Sequence, residues 1–358
     1  MQAARVAIVG TGGIARSHMA ALRAAGERVE VVAAADVDGP RVEAFAADNG
    51  IPHHYTDVGE LLAAERPGLV HVATPPATHT GLAVQCLEAG AWVLCEKPLC
   101  GSLADLDRIQ EAERRTGRHC ASVFQWRFGS AGQHLHRLID EEAMGRALVG
   151  VCSTTWYRDV AYYEVPWRGR WDTELGGPTM GHGNHAMDLF LWLLGEWREV
   201  SAMIGTLDRA IAVEDVSMAM VRFESGAMGS IVNSVLSPRQ ETYLRLDFQR
   251  STVEVRALYG YGNDSWTFSG APGVEEATVE GWRAIPEDVP SGHPAQLRAL
   301  LDRMERDQAP PADTAGVRTT IEFLSSLYKS AVTGAVVERG SIRPGDPFYE
   351  HVGGTLAR

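Results

Sequence analysis

A few lysine, histidine and arginine residues stand where their neighbours give them chemistry to do. Lys97 lies in Cys95-Glu96-Lys97-Pro98, at the end of the apolar run 91–96. At the carboxyl edge of a parallel sheet, an amine can hold a hydroxyl and exchange its proton. A surface lysine beside a turn has the same local sequence. His182 and His185 lie in the stretch 180–188, Met-Gly-His-Gly-Asn-His-Ala-Met-Asp, where an imidazole can orient an oxygen or move its proton. On a helix these two could also be paired metal ligands, but no third ligand is evident and no metal is expected. A buried histidine satisfied by backbone bonds is the alternative for each. Upstream, Trp156-Tyr157-Arg158, Tyr162-Tyr163 and Trp167-Arg168-Gly169-Arg170-Trp171 crowd rings and guanidiniums together. Rings stack on sugar faces, and guanidiniums bind hydroxyls, carboxylates or phosphates. Trp156, Arg158, Tyr163, Trp167 and Arg168 are therefore candidate substrate residues, while a subunit interface would draw on the same residue types.

A second set of residues is suited to a dinucleotide. Gly10-Thr11-Gly12-Gly13-Ile14-Ala15 follows the apolar run 5–10 and opens a helical pattern. Gly10 permits a tight turn and Gly12 admits a pyrophosphate close to the backbone. Ala15 keeps the helix near the sheet, and the helix N-terminus faces the phosphate charge. Asp36 ends the next strand, where a carboxylate accepts from both ribose hydroxyls and repels a 2′-phosphate. NAD is thus expected over NADP, with Arg41 close enough in sequence to soften the preference. Thr74-Pro75-Pro76 ends the third strand at the same edge, and His79 starts the following helix.

The elements that must position these groups change character along the chain. Runs 5–10, 29–36, 69–74 and 91–96 are short and apolar, and helical stripes lie between them (Ile14, His18, Ala21 and Leu22; Val42, Phe45 and Ala46; Leu82, Ala83, Cys86 and Leu87). Continuous apolar strands alternating with helices predict a doubly wound parallel sheet, a Rossmann-type α/β domain. Ser102 with Asp105 three residues on predicts a capped helix. Beyond residue 121 come longer alternating segments at 148–157, 216–223, 229–235, 243–248 and 252–255, with Glu224-Ser225-Gly226 as a hairpin signal. These predict an α+β domain on a large, open, mostly antiparallel sheet, with late helices at 294–306 and 317–332 and surface loops over 271–290. The expected domains are 1–123 for the cofactor and 124–358 for substrate binding and oligomerisation.

The totals exclude several classes. A formal net charge of −13 with no run of Lys and Arg argues against nucleic-acid and anionic-membrane surfaces. No stretch approaches the length of a spanning helix, and the N-terminus enters an apolar strand without a signal-peptide pattern. The five cysteines, Cys86, Cys95, Cys100, Cys120 and Cys152, lack metal-site spacing; reduced thiols in a cytoplasmic protein are expected.

The glycine turn, Thr74-Pro75-Pro76 and above all Glu96-Lys97-Pro98 resemble the family of glucose–fructose oxidoreductases, inositol dehydrogenases and their relatives. Phe124-Gln125-Trp126-Arg127-Phe128 and the segment 176–188 extend the resemblance over essentially the whole chain. It implies an NAD-dependent oxidoreductase acting on a sugar or cyclitol hydroxyl, with Lys97 as acid/base and His185 orienting the substrate. It also implies that Glu96 lies by the cofactor, that Gln125 and Arg127 lie by the substrate, and that the chain forms a homodimer or homotetramer. The chain departs from the family pattern at Gly181, where the family usually has an aspartate four residues before the histidine. Either His182 supplies a polar group there, or Lys97 and His185 suffice. Two further readings stay open: a glycosidase or epimerase that oxidises its sugar transiently, and a NAD-binding regulator without catalysis.

Overall fold

A computed structural model describes residues 3–357. They form two compact units: one runs to Val123 and takes in His293–Arg318, and the other comprises Phe124–Gly292 and the chain from Thr319 on.

In the first unit six strands, β1 (Ala4–Val9), β2 (Val29–Ala35), β3 (His53–Tyr55), β4 (Leu69–Val72), β5 (Trp92–Cys95) and β6 (Cys120–Ser122), lie in the order β3-β2-β1-β4-β5-β6. All the pairings are parallel. This is the doubly wound arrangement whose strand order reverses beside β1, the place where such sheets bind ligands. Five helices wind between the strands: α1 (Ala15–Ala25), α2 (Gly39–Asn49), α3 (Val58–Glu65), α4 (His79–Glu88) and α5 (Leu103–Thr116). The Ser102 hydroxyl accepts from the Asp105 N–H at 3.0 Å, as its spacing predicts. The apolar strands are buried on both faces, and Val6, Ile8, Met19, Leu22, Leu69 and Leu94 form one core with Leu297, Leu300 and Leu301. Those last leucines lie on the His293–Met304 helix, which packs with this unit rather than with the second sheet. Burying each such side chain is worth about 1.5–3 kcal/mol, and that apolar stripe draws the late helix back. Gln296 fixes it further by donating to the Ser122 carbonyl at 2.6 Å.

The second unit is built on eight strands: β7 (Ala147–Tyr157), β8 (Trp197–Gly205), β9 (Val216–Phe223), β10 (Met228–Ser234), β11 (Leu236–Phe248), β12 (Ser251–Ala257), β13 (Trp266–Gly270) and β14 (Val337–Glu338). Their order is β13-β12-β11-β7-β10-β9-β8-β14. β7 and β10 pair parallel, and every other pairing is antiparallel. The β9–β10 hairpin turns at Gly226, whose φ of 87° suits glycine. One sheet face lies under the apolar helix Asn184–Leu194: Phe190 sits so close to the backbone that a Cβ at Gly150 or Gly229 would lie 2.5 or 2.8 Å from its ring. Loops are expected over 271–290, but a helix, Glu276–Arg283, forms there because Val279 and Trp282 face the core at a spacing of three. Its polar remainder hides that short stripe in the sequence.

Candidate active site

The cofactor residues are brought together in the first unit. Gly10 follows β1 with φ of 91°, and a Cβ on it would lie 2.6 Å from the Ala73 carbonyl oxygen, so only glycine fits. A Cβ on Gly12 or Gly13 would meet nothing within 4 Å. The unit's own packing does not require those two glycines, whereas close approach of a pyrophosphate to the N-terminus of α1 does. Asp36, just past β2, is tied to the same turn. Its Oδ2 accepts from the Thr11 N–H at 2.8 Å and the Thr11 hydroxyl at 2.9 Å. Arg41 donates to both oxygens, through Nη2 to Oδ1 at 2.5 Å and through Nε to Oδ2 at 3.2 Å. Burial alone would raise the Asp36 pKa, but the Arg41 and Thr11 bonds outweigh it and lower it. The residues present therefore fit a dinucleotide, with Asp36 held ionised beside the glycine turn.

Lys97 follows β5 at the carboxyl edge of this sheet, half-buried, and its peptide bond to Pro98 is cis. His79 ties its turn to that of Thr74-Pro75-Pro76: the buried ring has Nδ1 2.7 Å from the Pro98 carbonyl oxygen and Nε2 2.9 Å from that of Thr74. Glu96 turns its carboxylate into the unit. Oε1 lies 3.1 Å from His18 Nε2 and 2.9 Å from His293 Nε2, and Oε2 accepts from the Lys97 N–H at 3.2 Å. Burial would raise the Glu96 pKa, yet the bonds and charges of His18 and His293 outweigh it and hold it well below the ordinary value. An ionised carboxylate only accepts, which sets the tautomers. His18 and His293 donate through Nε2, so neutral His18 accepts at Nδ1 from His71 Nδ1, 2.9 Å away. Burial lowers the pKa of both His18 and His71. The His18, Glu96 and His293 ligand atoms lie within 4.8 Å of one another, but one oxygen accepting two N–H bonds accounts for that spacing without a cation.

In the second unit, His182 lies between the short Pro178–Gly181 helix and the Asn184–Leu194 helix, and His185 lies in the first turn of the latter. Close backbone approaches fix this segment. A Cβ on Gly177 would lie 1.8 Å from the Glu214 carbonyl oxygen, and one on Gly183 would lie 1.9 Å from Asn233 Oδ1. Buried Glu214 accepts from the N–H groups of Gly177 and Thr179 at 3.0 and 3.1 Å and from the Tyr328 hydroxyl at 2.9 Å. His182 Nε2 accepts from Arg158 Nε at 3.1 Å, so its ring proton sits on Nδ1; the Tyr162 hydroxyl is 3.3 Å from the same nitrogen. Arg168 stacks over the Tyr162 and Trp167 rings, at 3.9 and 4.3 Å, and pairs with buried Glu174 at 3.2 Å. Arg158, Tyr162, Trp167, Arg168 and His182 thus form one cluster beside the turn that carries His185, and Tyr163 packs its ring edge-on to Tyr162, 5.0 Å away.

Three residues expected at the substrate are buried in the second unit. Arg127 makes a bidentate pair with fully buried Asp188, at 2.6 and 2.5 Å. Trp156 is 3% exposed and donates to the Thr242 hydroxyl at 2.9 Å. Gln125 is buried as well. The sequence offered little sign of His71, a polar residue inside an apolar strand, of His293, whose partner Glu96 is distant along the chain, or of Glu174, whose nearby partners Arg168 and Gly169 form no recognisable motif.

Comparison with known proteins agrees with both halves of this description. The model of the NAD-binding Rossmann-fold oxidoreductase family GFO/IDH/MocA matches residues 4–124, and that of the GFO/IDH/MocA C-terminal domain matches residues 133–256. The chain is 26% identical to D-apiose dehydrogenase of Paraburkholderia graminis, over 95% of this chain and 91% of that protein. It is 25% identical to D-glucoside 3-dehydrogenase of Escherichia coli, over 93% and 97%. Among solved structures, the WlbA dehydrogenase of Chromobacterium violaceum in complex with NADH and UDP-GlcNAcA superposes with a TM-score of 0.84 at 28% identity, covering 96% of this chain and 98% of that one.

Proposed function

The chain belongs to the GFO/IDH/MocA family of NAD-binding oxidoreductases, and from that premise we propose that it oxidises a sugar or cyclitol hydroxyl to the ketone, or runs the reverse reduction. The observation that carries this reading is the position of Lys97, at the carboxyl edge of the sheet whose glycine turn and Asp36 fit the dinucleotide. When bound, the nicotinamide supplies the hydride acceptor. Lys97 Nζ, as a neutral amine, takes the hydroxyl proton as the carbonyl forms and returns it in reduction. In the second unit, His185 has the substrate-orienting role that the family resemblance implies, and the Arg158–Arg168 cluster offers guanidiniums and rings to a sugar. His79 and Glu96 keep the lysine turn fixed, the former through two carbonyls and the latter through the Lys97 N–H.

Two assignments accompany this reading. Met203, Met218, Met220, Met228 and Val149 are exposed on one face of the second sheet, with Met203 paired to Met218 and Met228 paired to Val149, which supports a homodimer or homotetramer built on that face. The five cysteines are buried and unbridged, which supports a reducing, cytoplasmic setting; among the described residues no helix is long and apolar enough to cross a membrane.

The test is a screen for NAD⁺ reduction against monosaccharides, inositols, uronic acids and sugar phosphates, followed by Lys97→Met. The variant should bind NAD⁺ as the parent does and lose about 10²–10⁴-fold in turnover. Unchanged turnover would remove Lys97 from the reaction.

A further inference from the structure

Arg158, directly after β7, differs from the arginines near it. Arg168 is paired with Glu174, Arg209 with Asp208 and Arg127 with Asp188. Among the described residues Arg158 has only uncharged acceptors. Its Nε donates to His182 Nε2 at 3.1 Å, its Nη1 to the Tyr157 carbonyl at 2.7 Å and Gln240 Oε1 at 3.1 Å, and its Nη2 to the Tyr259 hydroxyl at 2.7 Å. The guanidinium carbon lies 5.0 Å from the Trp156 ring and 5.2 Å from the Tyr162 ring. Rings and neutral acceptors fix the plane of the guanidinium and leave its charge uncompensated. That is a costly arrangement for a half-buried cation unless an anion joins it.

The donor inventory shows where an anion would attach. Of the guanidinium's five N–H groups these bonds engage four, and the fifth, on Nη2, makes none of them; the Tyr162 hydroxyl also bonds this guanidinium. The Tyr259 oxygen accepts from that same Nη2, so its own proton points away from Arg158, and Tyr259 is 60% exposed. An N–H and an O–H therefore stand side by side at an accessible rim, next to an unneutralised positive charge. Through His182, three residues before His185, this pair is fastened to the turn that carries the candidate substrate histidine.

We infer that the substrate carries an anionic group, a carboxylate or a phosphate, bound by Arg158 Nη2 and the Tyr259 hydroxyl. The inference rests on the dehydrogenase reading above and narrows its substrate class from sugars in general to acidic ones. Arg168 is not the anion site, because Glu174 already answers its charge. Charge-assisted bonds of this kind are worth about tenfold to a hundredfold in kcat/KM over a neutral counterpart.

The experiment compares NAD⁺ reduction by the whole protein with D-glucuronate, D-galacturonate and glucose 6-phosphate against D-glucose, D-galactose and myo-inositol. An anionic sugar should exceed its neutral counterpart at least about tenfold, and whether uronate or phosphate wins identifies the anion. In Arg158→Gln the ratio of acidic to neutral kcat/KM should fall close to one, mainly through KM, while Arg158→Lys should keep part of it. Neutral sugars that match or surpass the acids in the parent protein overturn the inference and leave the dehydrogenase reading standing. An Arg158→Gln variant that slows both classes alike also overturns it, since the arginine would then serve only to hold His182. Should that variant fail to fold, the parent protein and Arg158→Lys still decide. If no sugar of either charge reduces NAD⁺, the dehydrogenase reading falls and this inference falls with it.

Discussion

Asp36 with Arg41 in the first unit and Asp188 with Arg127 in the second are the same two side-chain types in nearly the same bidentate geometry, yet their surroundings give them opposite characters. The Arg41 side chain is 48% exposed, against 10% for Arg127. At Asp188 burial dominates and raises the pKa despite the guanidinium. At Asp36 the arginine and Thr11 overcome burial and lower it. Water at one end of the pair decides between a partner that can move aside and one that cannot. The first pair can open for a ribose, and the second locks a helix to its neighbours, with Thr320 donating a further bond to Asp188 at 2.9 Å.

The largest expected effect breaks the locked pair. Arg127→Met leaves an acid at a fully buried position and should cost about 3–5 kcal/mol in urea unfolding at pH 7. A raised pKa means that Asp188 favours the fold below its ordinary range and loses that contribution as pH rises through the raised value. Without Arg127 the orphaned acid takes a proton more readily, so the cost should be smaller at pH 5 than at pH 7. A loss under about 1 kcal/mol, or one that ignores pH, would make Arg127 free for the substrate after all.

The same contrast sets what could be read from the sequence. The cofactor turn was legible because its glycines, strand and helix are contiguous, and β1, β2, β4 and β5 show as apolar runs. The strands β3 and β6 have three residues each, too short to display a period. The partner of Arg127 lies 61 positions away, and no local pattern shows that its guanidinium is committed to a buried acid. His18 sat on the inward stripe of α1 and read as packing; its bond to Glu96 spans 78 positions. The return of the His293–Met304 helix to the first unit is likewise a matter of which core its leucines meet, and the sequence shows only that they are apolar.

Glu96 offers a middle case: a buried carboxylate held by imidazoles instead of a guanidinium. Glu96→Gln keeps the shape but removes the charge that His18 and His293 donate to, and should cost about 2 kcal/mol at pH 7.5. The parent protein should also respond to acid unit by unit. His18 and His71 have lowered values, so their neutral forms favour the fold fully above about pH 6.5, and that contribution is lost as pH drops below it. Asp188 and Glu214 have raised values, and their contribution grows as pH falls. Between pH 7.5 and pH 5, hydrogen-exchange protection, corrected for the intrinsic rate at each pH, should therefore fall over β1, α1 and β4 more than over the Asn184–Leu194 helix. The reverse order would mean that the histidine cluster is not what acid attacks.

The smallest expected effect tests the movable pair. Asp36→Ser removes the carboxylate expected to repel a 2′-phosphate and leaves Arg41, already nearly half exposed, with only the 3.5 Å pair to Asp38. The ratio of kcat/KM with NADP⁺ to that with NAD⁺ should rise about tenfold, which is roughly 1.4 kcal/mol of discrimination. Serine can still accept from the Thr11 N–H, so the turn keeps one of its ties. Adding Arg41→Ala in the same background should return the ratio toward its starting value, because Arg41 is the cation that bonds this carboxylate. A ratio that rises in both variants would show repulsion by Asp36 to be the whole of the selectivity, with Arg41 only its surface partner; a ratio that stays flat in Asp36→Ser would place the ribose elsewhere.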